Sequence, residues 1–111
     1  MIVNTNFDEA KNIMEKTALI TVADVREECE YVTGHVENAV NLPLSLLIDV
    51  PKSEGRVFAE SVVPDKTIPV MVYCRTGKRS SLAANALDEF GYQIIYDMGG
   101  LSGWPYGLSY D

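Results

Sequence analysis

The sequence is short of nearly everything that a metal site, a disulfide framework or a membrane span requires. Its 111 residues include one histidine, His35, and two cysteines, Cys29 and Cys74, far apart in the chain. Two cysteines do not make a disulfide framework, and a zinc site wants four ligands. No apolar run approaches the roughly 20 residues that cross a bilayer. The opening MIVNTNFDEAKNIMEK has no basic start followed by an apolar block, so a cytoplasmic location is expected. Cations are scarce as well: nine Lys and Arg stand against sixteen Asp and Glu, for a net charge of -7. Such an acidic chain suits neither nucleic acid nor an anionic membrane face, and neither is expected as a partner. No repeat, linker or low-complexity tract divides the chain, and residues 1–111 are expected to form a single domain.

What is present is a hydrophobic content of 47%, enough for a sizeable core. TNFDEAKNIMEK reads as an amphipathic helix, with Asn6 as N-cap, Glu9 closing a capping box, and Phe7, Ala10, Ile13 and Met14 on one face. ALITVADV reads as a buried strand, REECEYVTGH as a polar loop with a short turn, and NAVNLP as a brief strand. PLSLLIDV suits a short helix with Pro43 in its first turn, PKSEG a loop, and RVFAESVV another helical segment. IPVMVYC is the clearest strand. Leu82, Ala83, Ala86, Leu87 and Phe90 then follow helical spacing from Ser80 to a stop at Gly91, and YQIIYDM is a further strand. Alternating strands and helices, with strands apolar on both faces, predict an α/β fold: a mainly parallel central sheet with helices on both faces.

The stretch VMVYCRTGKRSSLAANAL carries the chemistry. Cys74 ends a strand, and three of the nine cations, Arg75, Lys78 and Arg79, follow within five residues. In open parallel α/β sheets, ligands bind beyond the carboxyl ends of strands. The following helix aims unpaired N–H groups at this loop, and Gly77 lets the backbone curl into an anion nest. The helix terminus and the cations favour a thiolate at Cys74. A buried, inert cysteine beside a solvated loop is the competing reading, but it accounts for neither Gly77 nor a cation cluster on an acidic chain. A thiolate in an anion nest suits attack on phosphorus, or attack on the outer sulfur of a donor such as thiosulfate. Phosphatase loops place five residues between cysteine and arginine. Here Arg79 follows Cys74 after four, and Ser80 holds the phosphatase position. A phosphatase or arsenate reductase is therefore the weaker alternative.

CRTGKR, Cys74 to Arg79, resembles the six-residue active loop of rhodanese-family sulfurtransferases. DVREECEYVTGHVENAVNLP, Asp24 to Pro43, resembles that family's upstream Asp-Val-Arg, Glu-Tyr, Gly-His and Asn-aliphatic-Pro pattern, and MGGLSGW, Met98 to Trp104, its downstream Gly-Gly and tryptophan element. The resemblance implies a rhodanese-like fold and a thiosulfate-type sulfurtransferase with Cys74 as the persulfide carrier. The backbone N–H groups of Arg75, Thr76, Gly77, Lys78 and Arg79 would cradle the outer sulfur, with Arg75 and Lys78 meeting the sulfonate of the donor. The implied partners are a small sulfur donor and a thiol or cyanide acceptor, with a protein acceptor as a further option. No metal or organic cofactor is implied. A protein-interaction or sulfur-relay module with little thiosulfate activity is the alternative from another class. Asn38 stands where the family has glycine, and asparagine also tolerates a left-handed backbone. Asp24 and Arg26 are expected to form an ion pair tying down the loop from Asp24 to Gly34. His35 is expected as a buried turn residue, Cys29 as a spectator and Trp104 in the core.

Overall fold

A computed structural model describes residues 1–110. In chain order the elements are β1 (Ile2–Asn4), α1 (Phe7–Lys16), β2 (Thr21–Asp24), α2 (Glu28–Tyr31), β3 (Val40–Asn41), α3 (Leu44–Ile48), α4 (Lys52–Val62), β4 (Val70–Cys74), α5 (Lys78–Glu89) and β5 (Ile95–Gly100). The strands form one sheet in the order β1-β5-β4-β2-β3, and every pairing is parallel.

β4 lies at the centre and is buried at all five positions. Side chains alternate across a strand, so Val70, Val72 and Cys74 enter one core while Met71 and Tyr73 enter the other. The first core is closed by Leu47 of α3, Ala59 of α4, and Ala83 and Leu87 of α5. The second is closed by Ala10 of α1 together with Val36, Ala39 and Met98. Helices thus cover both faces, as the apolar strands predict. The crossover order places the ends of β4 and β2 side by side, and there the Cys74 loop meets the Asp24–Gly34 segment.

Local chemistry explains the elements and their boundaries. α1 begins with the expected reciprocal cap: the Glu9 N–H donates to Asn6 Oδ1 at 2.8 Å and the Asn6 N–H donates to Glu9 Oε1 at 2.9 Å. Asn38 takes the left-handed conformation, with φ of 66°. Several boundaries differ from the sequence expectation: β5 runs Ile95–Gly100 rather than over YQIIYDM, β3 keeps only Val40–Asn41 of NAVNLP, and Glu28–Tyr31 forms a short helix within the expected polar loop. β1 is too short to show periodicity, and its partner β5 defines it, in the register Ile2↔Ile95. α4 starts at Lys52, so the PKSEG stretch is mostly helix. Its Gly55 is there for contact, because a Cβ would lie 2.1 Å from the Leu47 carbonyl oxygen. α5 starts at Lys78, two residues earlier than its apolar spacing indicates, with Gly77 as N-cap.

Candidate active site

The loop from Cys74 to Arg79 leaves the centre of the sheet and turns directly into α5. Gly77 makes the turn with φ of 100°, a conformation that L side chains rarely adopt. The turn directs its N–H back to the strand end, where it donates to Cys74 Sγ at 2.9 Å. Ser80, buried in the first turn of α5, donates from Oγ to the Gly77 carbonyl at 3.0 Å and fixes the turn from the helix side. Glycine offers no side chain to satisfy the first N–H groups of the helix. Those of Arg75, Thr76, Lys78 and Arg79 have no acceptor among the described residues. Cys74 itself is fully buried, and its thiol is free. One backbone donor thus meets the sulfur, and the neighbouring N–H groups of the loop have no acceptor among the described residues.

The three cations of the loop divide into two roles. Arg75 and Lys78 are exposed, and neither makes an ion pair or side-chain hydrogen bond among the described residues. Arg79 instead grips Glu30 of α2 through two bonds, Nη1 to Oε1 at 2.5 Å and Nη2 to Oε2 at 2.9 Å. Such a fork is the strong geometry for arginine and carboxylate. It pulls the Glu30 carboxyl down to about 2. Glu30 also receives the Glu27 N–H at 3.1 Å, so one carboxylate caps α2 and holds the far end of the loop. What Arg79 offers within the loop is its backbone N–H.

Beneath this contact lies a buried ionic knot. Asp24, at the end of β2, accepts from Arg26 Nε at 3.0 and 3.1 Å, Arg26 Nη2 at 2.7 Å, the Arg26 N–H at 2.9 Å and the Tyr73 hydroxyl at 2.7 Å. Arg26 Nη2 also donates to the Gly34 carbonyl at 2.6 Å, which pins the loop as expected. Burial, reinforced by the Asp24 carboxylate, pushes the Tyr73 phenol far up. The Tyr73 oxygen in turn accepts the Val36 N–H at 3.0 Å. His35 is buried, stacked on Tyr31 at 4.1 Å, with its Nδ1 2.8 Å from the Val36 carbonyl. Trp104 is partly buried against the second core and meets Phe7 edge-on at 5.3 Å.

A shallow cleft of about 420 Å³ opens beside the loop, lined by Arg75, Leu101, Ser102 and Leu108 on one side and by Arg26, Cys29, Glu30 and Thr33 on the other. Cys29 is free and exposed. The structure therefore brings Arg75 and Cys29 to one cleft. Two contributors are invisible in the local sequence pattern: Glu30, whose partner lies 49 residues away, and Gly100, which packs beneath the loop.

These features define a class: an α/β domain presenting a strand-end cysteine at the head of a six-residue loop that turns directly into a helix. The rhodanese-like domain family model matches residues 6–105, and the chain belongs to that family. Thiosulfate sulfurtransferase PspE of Escherichia coli is 37% identical over 78 residues, 70% of this chain and 67% of PspE. Thiosulfate sulfurtransferase GlpE of Coxiella burnetii is 32% identical over 97 residues, 86% of this chain and 80% of GlpE. A tRNA uridine(34) hydroxylase of Chlamydia caviae is 35% identical over 79 residues, 71% of this chain but 23% of the hydroxylase. Among solved structures, a rhodanese with anions from E. coli superposes with a TM-score of 0.67 at 32% identity, covering 83% of this chain and 99% of that one. Relatives named as thiosulfate sulfurtransferases support a rhodanese-type enzyme, for which a sulfur donor and an acceptor are the substrates. Among the described residues no helix is long and apolar enough to cross a membrane.

Proposed function

We propose that residues 1–111 act as a single-domain sulfurtransferase, carrying sulfane sulfur from thiosulfate or a related donor to a thiophilic acceptor as a persulfide on Cys74. The observation that carries this reading is the Gly77 N–H donating to Sγ at 2.9 Å within a loop whose other N–H groups lack acceptors among the described residues. The Cys74 thiolate attacks the outer sulfur of thiosulfate. The S–S bond of the donor breaks, and sulfite leaves with the bonding pair. Cyanide, or a thiol, then attacks the terminal sulfur and restores the thiolate. The loop N–H groups hold the charge that sits on sulfur between these steps. Arg75 and Lys78, with no partner of their own among the described residues, hold the sulfonate of the anionic donor.

Initial rates of thiocyanate formation test this, with thiosulfate and cyanide both varied. Parallel double-reciprocal lines are expected, because a covalent intermediate separates the two half-reactions. Absence of thiocyanate, or intersecting lines, contradicts the persulfide route.

A second reading is favoured by one finding: the same domain makes up less than a quarter of the tRNA hydroxylase relative. It is a relay in which Cys74 is loaded by a protein persulfide. Slow loading by thiosulfate with fast loading by such a donor distinguishes it.

A further inference from the structure

The Gly99–Gly100 pair is not used by the chemistry above, and the two glycines differ in what they require. β4 and β5 run in step from Val70↔Ile95 to Val72↔Asp97, and then the register slips so that Cys74 pairs with Gly100. β5 thus uses one extra residue. Gly99 absorbs the slip, with φ of 79° and its N–H donating to Asp97 Oδ1 at 2.9 Å; a Cβ there meets nothing within 4 Å. Gly100 is different. A Cβ there would lie 2.6 Å from the Arg75 carbonyl oxygen and 2.7 Å from both Cα and the carbonyl carbon of Thr76. All three atoms are backbone of the Cys74 loop. The chain beyond Gly100 holds that loop too: the Leu101 N–H donates to the Cys74 carbonyl at 2.8 Å and the Ser102 N–H to the Arg75 carbonyl at 3.3 Å.

We infer that Gly100 is a positioning residue for the sulfur-bearing loop: its bare Cα is the floor on which the Arg75–Thr76 peptide rests, and this sets where the Gly77 N–H meets Sγ. The inference rests on the reading of Cys74 as sulfur carrier. Its physical basis is closeness. Gly77 itself sits over this floor, with its own Cβ position 3.5 Å from the Gly100 nitrogen. A methyl group at position 100 must widen a 2.6 Å approach toward the 3.4 Å of ordinary contact, which lifts the loop by roughly 0.8 Å. Displacements of this size at a reacting centre cost on the order of 100-fold. The lifted N–H groups no longer converge on the sulfur, so the persulfide is also held less well.

The test compares Gly100→Ala with Gly99→Ala in the full chain. Sulfur loading by thiosulfate is followed by intact mass, turnover by thiocyanate release, and folding by thermal melting. Gly99→Ala lowers stability but keeps most of the turnover. Gly100→Ala at a near-native melting temperature loses on the order of 100-fold in kcat/KM. The loss is the same with thiosulfate and with a neutral sulfane donor, and the loaded species decays faster than in wild type. Wild-type turnover by Gly100→Ala, or a loss confined to the anionic donor, overturns the inference. If wild type itself gains no sulfur, the proposed function fails, a result separate from either of these. If Gly100→Ala does not fold alone, the same assays are run on it in trimethylamine oxide, which favours the compact state, with wild type in the same osmolyte as reference. A loss on the order of 100-fold with both donors supports the inference, and wild-type turnover overturns it.

Discussion

Replacing Asp24 by asparagine removes one charge and almost no volume, and it should be among the most damaging single changes in the chain. Asp24 is fully buried and Arg26 is 7% exposed, so the guanidinium stays largely out of water once its partner is neutral. The carboxylate receives both Arg26 side-chain donors, the Arg26 N–H and the Tyr73 hydroxyl. An asparagine side chain has one oxygen and cannot accept from all of them. Leaving a buried charge unpaired costs about 3–5 kcal/mol. For a domain of this size that corresponds to a fall in melting temperature of about 12–20 °C. Urea unfolding should show the same loss as a lower midpoint with an unchanged slope. A double-mutant cycle with Arg26→Met isolates the cause. With both charges gone, the double variant should be less destabilised than the sum of the singles by about 2 kcal/mol or more. Because Arg26 also pins Gly34, and the segment between them carries Glu30 to Arg79, turnover should fall as well. A loss below about 1 kcal/mol in Asp24→Asn, or strict additivity in the cycle, would refute the reasoning.

Arg75→Ala and Lys78→Ala should each raise KM for thiosulfate more than they slow turnover with a neutral sulfur donor; equal losses with both donors would assign them to loop shape instead. Cys29→Ser should retain most of the rate even though Cys29 lines the cleft beside Arg75, and steady-state kinetics decide this. Glu30→Gln removes a carboxylate held at about 2 against an ordinary 4.5. After allowance for a pair with side chains 27% and 32% exposed, it should cost about 1–2 kcal/mol at neutral pH. A depressed carboxyl stabilises the fold above its unfolded value. The gap between wild type and Glu30→Gln should therefore shrink as pH falls from about 4.5 toward 2, followed by denaturant titration at each pH. A glycine inserted between Thr76 and Gly77 should cost sulfur transfer on the order of 100-fold, while wild type should not hydrolyse aryl phosphates. Both activities assayed in both proteins settle whether loop length selects the substrate.

The site was legible in the sequence where its contacts are local. Cys74, Gly77 and the helix after them are consecutive, so strand end, turn and helix terminus can be inferred from residue type alone. The Asp24–Arg26 pair is two residues apart at the end of a strand, and its structural role followed from that. The contacts that complete the loop are not local. Arg79 has the same charge as Arg75 and Lys78, and nothing nearby in sequence marks it as the partner of Glu30. Gly100 is visible as half of a glycine pair, but its requirement comes from the Arg75 and Thr76 backbone of the Cys74 loop. Gly55 departs from the expected loop for a related reason. A glycine among polar residues suggests a loop, whereas here it lets α4 approach the Leu47 carbonyl. β1 is a strand because β5 is beside it, and three residues carry no period of their own.

The most direct test of the account is the intact mass of the purified protein after incubation with thiosulfate and removal of small molecules, with peptide mapping of the product. The account predicts a gain of one sulfur atom on the peptide containing Cys74, reversed by cyanide and absent in Cys74→Ser but present in Cys29→Ser. No gain in wild type, or a sulfur that maps to Cys29, would contradict it.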